Sequence, residues 1–96
     1  MTRVRWVRVW STRLEKLRQR CAVVDRLVDR QAAALRKAAA ARLADPDSID
    51  ALRAFEHAEE RYVLARMSQR KAHRALHRAE AIGHVFRVLT PGRPIH

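Results

Sequence analysis

Apolar residues in the first half of the chain recur at steps of three and four positions. This spacing places them on one stripe of an α-helix, the a and d positions of a heptad repeat, and is typical of a helix that packs along another helix. The stripe consists of Val7, Trp10, Leu14, Leu17, Cys21, Val24, Val28, Gln31, Leu35 and Ala38. The pattern predicts a first helix over about residues 3–44.

Residues 44–48, with the sequence ADPDS, interrupt the periodicity. A residue before proline disfavours helical backbone, Asp45 can cap a helix, and Pro46 suits a first helical position. A turn is therefore predicted at 45–48, a second helix over about 46–89, and a tail at 90–96, although Gly83 offers an earlier end for that helix. The second stripe consists of Ala51, Phe55, Ala58, Tyr62, Ala65, Gln69, Ala72, Leu76, Ala79, Gly83 and Phe86.

Two long helices joined by a few residues must pack antiparallel. The 96 residues therefore predict one all-α domain, a long two-helix antiparallel hairpin like a coiled coil. Pairing residues whose numbers sum to 93 sets large side chains against small ones, for example Trp10 against Gly83. This register sets Gln31 beside Tyr62 as a buried hydrogen-bonding pair. A register seven residues longer would set Gln31 beside Gln69, and it matches side-chain sizes less well.

Formal charge is unevenly distributed along this chain, whose net charge is +11. Residues 1–20 carry +6, residues 21–60 carry −2 and residues 61–96 carry +7. Folding as a hairpin brings both chain ends together, which predicts a rod with a basic end and an acidic turn. A basic end suits a phosphate backbone, a membrane surface or an acidic protein, while a merely solvated face is the plain alternative. The residues assigned to the basic end are Arg3, Arg5, Arg8, Arg13, Arg70, Lys71, Arg74 and Arg78.

Several apolar residues lie off both stripes and need a second burial site that two helices cannot provide. We expect a second copy, in a homodimeric four-helix bundle, or a different helical protein to cover them. These candidate partner-binding residues are Val23, Leu27, Leu52, Val63, Leu64 and Met67.

The pattern of His73, His77, Glu80 and His84 places four polar side chains on one helical face, where imidazoles can share a metal ion. Neighbouring arginines oppose a cation, so surface histidines are favoured and no metal or other cofactor is predicted. The single cysteine, Cys21, falls on the first stripe and indicates a buried free thiol in a reducing compartment.

Catalytic residues are not predicted, because no nucleophile and base pair has supporting context and a two-helix rod offers no concave pocket. The sequence has no run of about 18 apolar residues and no uninterrupted apolar stretch typical of a signal peptide. Together with the free thiol, these features favour a cytoplasmic protein that is not an enzyme.

Two interaction functions remain. The leading hypothesis is a non-catalytic helical-hairpin module for protein–protein interaction, such as an adaptor, a small chaperone or an assembly or stalk subunit, with a basic end that engages an acidic partner. The alternative is a dimeric nucleic-acid-binding protein whose arginine-rich end grips phosphate without reading sequence.

Overall fold

The computed structural model describes the backbone of residues 2–88 and the side chains of residues 8–85. Two helices account for nearly all of this stretch: α1, Thr2–Ala44, and α2, Ile49–Val88. They pack against each other as an antiparallel hairpin that measures 70 × 19 × 18 Å. The predicted all-α hairpin is confirmed, and α2 continues through Gly83. Over the described residues, neither helix has an apolar stretch sufficient to cross a membrane.

The turn corrects one detail, because α2 begins at Ile49 rather than at Pro46. The Asp45 carbonyl accepts a hydrogen bond from the Ser48 amide at 3.1 Å, which closes a tight turn with proline at its favoured second position. The Ser48 hydroxyl then accepts a hydrogen bond from the Ala51 amide at 3.1 Å. Ser48 is therefore the residue that caps α2, and Asp45 serves the turn.

Trp10 and Gly83 fix the register of the hairpin. A β-carbon added to Gly83 would lie 3.0 Å from Trp10 Nε1 and 3.8 Å from Trp10 Cε2, so the indole ring lies directly on the glycine. The two residue numbers sum to 93, as in the favoured register, which excludes the register seven residues longer. Gln31 and Tyr62, which this register sets side by side, are both half-buried.

The core is a narrow strip along the interface between the helices. Every stripe residue from position 10 to position 83 is buried or half-buried, so the two predicted stripes do form the seam. The most buried residues, between 4% and 8% exposed, are Cys21, Val28, Ala58, Ala65, Ala72 and Ala79. None of the described side chains falls below 2% exposure, so this single layer has no fully enclosed centre.

An alanine recurs at every seventh position of the α2 stripe, at 51, 58, 65, 72 and 79. We call this row the alanine column. The distance between two helix axes depends on the side chains at the contact, and methyl groups permit the shorter distances. In the observed register Cys21 lies level with Ala72 and Val28 with Ala65, and all four are buried. The alanine column thus allows α1 to approach α2 closely enough to bury larger partners.

Replacing Ala65 with leucine should force the two helices apart. Ala65 is 4% exposed, and extra methylene groups in a packed core cost about 1–3 kcal/mol. Ala81, exposed on the same helix, provides the control, since Ala81→Leu should change the free energy of unfolding by less than about 0.5 kcal/mol. Urea unfolding followed by circular dichroism measures both. An Ala65→Leu variant as stable as the parent would contradict close packing at the alanine column.

The effect of Gly83→Ala should change sign with the residue at position 10. Alanine is favoured over glycine inside a helix by about 1 kcal/mol, but its β-carbon would meet Trp10 Nε1 at 3.0 Å. We expect Gly83→Ala to lower stability in the parent and to raise it by about 1 kcal/mol in a Trp10→Leu background. Denaturant unfolding of the four proteins in this cycle measures the coupling. A full stabilisation by Gly83→Ala in the parent would show that the indole does not constrain this position.

Candidate functional site

The seam divides the hairpin surface into two long faces. On either helix, the residues that directly follow a stripe residue point to one side of the seam, and those that directly precede it point to the other. Contacts across the seam show that the two helices match in this respect. Arg18 meets Glu80 at 3.8 Å, and His73 meets Asp25 at 2.8 Å; all four follow a stripe residue. We call their side the ion-pair face and the opposite side the basic face.

A polar network on the ion-pair face is centred on Asp25. Its Oδ1 atom accepts a hydrogen bond from Gln69 Nε2 at 2.9 Å and lies 2.8 Å from His73 Nε2, which donates when that nitrogen carries the proton. Gln69 Oε1 in turn accepts from Arg66 Nη1 at 2.9 Å. The hydrogen bonds from Gln69 and then His73 hold the pKa of Asp25 below its ordinary 3.8. Among the described side chains, this network, and not a Gln31 pair, provides the hydrogen bonds across the seam.

Acidic residues concentrate on the ion-pair face. Within residues 8–85 those that follow a stripe residue are Glu15, Asp25, Asp29, Glu56, Glu59 and Glu80. This face also carries arginines, so much of its charge is locally balanced.

The basic face has the opposite composition. Its basic residues, all exposed, are Arg13, Lys16, Arg20, Arg30 and Lys37 of α1 and Arg61, Lys71 and Arg78 of α2. Among the described side chains Asp50, beside the turn, is the sole acid on this face, and both ion pairs lie on the other side. The face also exposes aliphatic side chains, between 48% and 64% exposed, namely Val9, Val23, Leu64, Ile82 and Val85. Charge is therefore separated across the rod as well as along it.

The off-stripe apolar residues do not form one continuous surface. Val23, Leu27 and Leu64 lie on the basic face, with Leu27 half-buried by the hairpin itself. Leu52, also half-buried, and Val63, 49% exposed, lie on the ion-pair face. Met67, 58% exposed, points away from the seam and shares a shallow open depression of about 570 Å³ with Leu64, Lys71 and Arg74. Their role in partner binding stays a prediction; Leu64 and Met67 line one depression together.

The residues assigned to the basic end are also divided between the faces. Arg13, Lys71 and Arg78 lie on the basic face, Arg8 and Arg70 on the ion-pair face, and Arg74 points outward; all six are exposed. Arg3 and Arg5 lie outside the described side chains. Lys16, Arg20, Arg30, Lys37 and Arg61 extend the basic face well beyond the end of the rod. Their position directly before a stripe residue is the sequence signal that identifies them.

The remaining candidate chemistry is sparse. Among the described residues, no three His, Cys, Asp or Glu side chains are placed to hold a metal ion together. His73 instead contacts Asp25. Cys21 is 4% exposed, and burial, followed by the negative charges of Asp25 and Glu80, raises the pKa of its thiol. A buried thiol with a raised pKa is a poor nucleophile.

The turn end of the rod combines acidic and apolar side chains. Asp45, Asp47 and Asp50 are exposed, which agrees with the predicted acidic turn. Leu43 is 82% exposed and Ile49 63% exposed beside them. The two ends of the rod thus differ in charge.

Stability should fall as acid protonates Asp25. Because the pKa of Asp25 is lowered in the folded hairpin, its stabilisation is present above 3.8 and is lost as pH falls through the folded value. We expect Asp25→Asn to lower the free energy of unfolding at neutral pH and to differ little from the parent well below pH 3.8. Urea unfolding at a series of pH values measures this, with Asp29→Asn as control. A pH-independent difference would exclude the carboxylate as the cause.

Comparison with protein-family models, with curated proteins and with solved structures finds no match to this chain. Function must therefore be inferred from the chemistry of the hairpin's own surface.

Proposed function

We propose that this chain is a non-catalytic helical-hairpin module for protein–protein interaction, an adaptor, small chaperone or assembly subunit, in which basic residues engage an acidic partner. A cytoplasmic location is part of the proposal. The observation that carries it is the large amount of apolar and basic surface left uncovered by a single layer of packing.

The accessible surface supports this proposal. It amounts to 8110 Å², against about 5,700 Å² for a compact monomer of 11.1 kDa. The radius of gyration is 21.3 Å, compared with about 12 Å for a compact domain of this length. Aliphatic side chains form part of the exposed surface, with Val23, Val63, Leu64 and Met67 each about half exposed. Leu64 and Met67, which line one depression together, are the exposed apolar pair that a partner would cover.

Nucleic-acid binding is the second candidate, and the basic face is the observation in its favour. Eight exposed basic side chains with a single nearby acid suit a phosphate backbone. Base stacking on a single strand usually uses large aromatic side chains, and the described residues of this face include no phenylalanine, tyrosine or tryptophan. A phosphate-binding role would also leave Val23 and Leu64 exposed. These points rank it below a protein partner.

Light scattering on the purified protein tests the proposal. We expect either a mass above the 11.1 kDa monomer or a chain that aggregates until a partner is added. Leu64→Glu and Met67→Glu should each reduce this association. Gln19→Glu, an equal charge change at an exposed polar site on α1, should have little effect. A soluble monomer that neither apolar-to-charge substitution alters, and that binds no acidic partner, would reject the proposed module.

A salt titration separates the two candidate functions. Contacts to six to ten phosphates lose roughly 10³- to 10⁵-fold in affinity between 50 and 200 mM salt, whereas burial of apolar surface does not weaken steeply. We expect association of the hairpin to persist over this range and binding to duplex DNA to be weak at its upper end. Tight DNA binding with a steep salt dependence would favour the alternative, a nucleic-acid-binding protein.

A further inference from the structure

We infer that the basic face is the docking site for an acidic amphipathic helix of a different protein, laid lengthwise along the hairpin. This inference rests on the proposed function and specifies its partner. It is carried by the arrangement of charge around an apolar patch, which the positions of α1 and α2 determine.

The centre of the basic face is apolar and its surroundings are basic. Leu27 of α1 lies near the level of Leu64, because residue 64 lies opposite residue 29 in this register, and Val23 lies about one helical turn beyond Leu27. Arg20 and Lys71 flank this patch on one side, since residue 71 lies opposite residue 22. Along the rod the apolar patch is thus bordered by basic residues, an arrangement that suits an amphipathic helix with apolar and acidic positions.

Basic residues from both helices also flank the other side of the patch. Arg30 lies near the level of Arg61, which is opposite residue 32 in the same register. Arg20 and Arg30 are ten residues apart on one helix, about 15 Å at 1.5 Å per residue. Arg13 and Lys37 extend the charged positions to about 36 Å. A partner helix of roughly 24 residues would cover this length, with an apolar centre and acidic residues toward both ends.

The shape of the basic face favours a helix as the occupant. Two helices side by side leave a groove along each face. Because packed helix axes generally lie about 8–10 Å apart, a third helix can pack in that groove. The basic side chains come from both walls of the groove, so acidic residues on both sides of one partner helix would find opposite charges. Apolar residues of the same helix would cover Val23, Leu27 and Leu64. Charge and apolar burial then act together.

Other occupants fit this face less well. A second copy of the chain carries the same net charge of +11. Its acids lie mostly at the turn or on the ion-pair face, where Asp25 and Glu80 already contact His73 and Arg18. Duplex nucleic acid matches the charge but offers nothing apolar to cover the central patch. A bilayer surface usually recruits tryptophan, phenylalanine or leucine at its interface, and Leu64 is the one such residue on the described part of this face that is more than half exposed.

Adjacent basic residues on opposite faces provide matched variants for the test. Lys71 lies on the basic face and Arg70 on the ion-pair face, and Lys37 and Arg36 form an equivalent pair on α1; all four are exposed. Lys71→Glu and Arg70→Glu therefore change net charge equally, at neighbouring positions of one helix. The probe is a synthetic helical peptide with a leucine stripe flanked by glutamates, with a scrambled peptide of identical composition as its control.

Fluorescence anisotropy at physiological salt should show binding of the parent to the amphipathic peptide and not to the scrambled one. We expect Lys71→Glu and Lys37→Glu each to weaken binding by about tenfold or more, and their matched partners by less than about threefold. Circular dichroism establishes that all four variants keep the parent helicity.

Equal weakening by both members of each pair would overturn the inference, as would tighter binding to duplex DNA or to phosphatidylserine vesicles than to the acidic peptide. If the acidic peptide fails to bind while light scattering still shows association that depends on Leu64 and Met67, the docking inference fails and the proposed function stands. If the acidic peptide does not bind and light scattering shows no association, the docking inference and the proposed function are both rejected.

Discussion

The close approach of the two helices along the alanine column is the contact on which the rest of this structure depends. Alanines at every seventh position of α2 allow Cys21 and Val28 of α1 to be buried. Two helices share one seam and have no second layer, so every other surface meets water. Ordering the backbone costs roughly 1–2 kcal/mol per residue, and apolar burial must offset it. In this chain a narrow strip of small side chains supplies that burial.

The antiparallel seam also determines where charge accumulates. Residues that follow a stripe residue meet their counterparts from the other helix on one face, and residues that precede one meet on the other. Acids and arginines on the ion-pair face can therefore contact each other, as Arg18 and Glu80 do. The bases on the opposite face have like-charged neighbours instead, and their repulsion opposes folding until counter-ions or an acidic partner reduce it. The basic face, which is the proposed docking surface, is thus the part of the isolated hairpin with the least favourable electrostatics.

Periodicity predicts the helices and the seam. The match of large against small side chains across the seam, above all Trp10 against Gly83, predicts the register. The start of α2 is not predictable in the same way, since Asp45 and Ser48 are both good caps and the hydrogen bond between them exists only in the folded turn. Counting charge along the chain misses its separation between faces, although assigning each charge to a position before or after a stripe residue reveals it. The contact between Asp25 and His73, 48 residues apart, requires side-chain positions in three dimensions.

Binding of the proposed acidic partner would be coupled to folding of this hairpin. A ligand present at 100 times its dissociation constant adds about 2.7 kcal/mol to the stability of the folded state. Natural domains are stable by only about 5–15 kcal/mol, and a chain with a single narrow seam belongs at the low end of that range. Neutralising the basic face would at the same time remove the repulsion that opposes folding. The proposed acidic partner would therefore stabilise the folded hairpin in two ways, by binding it and by reducing charge repulsion. The population of folded hairpin would then depend on the partner's concentration.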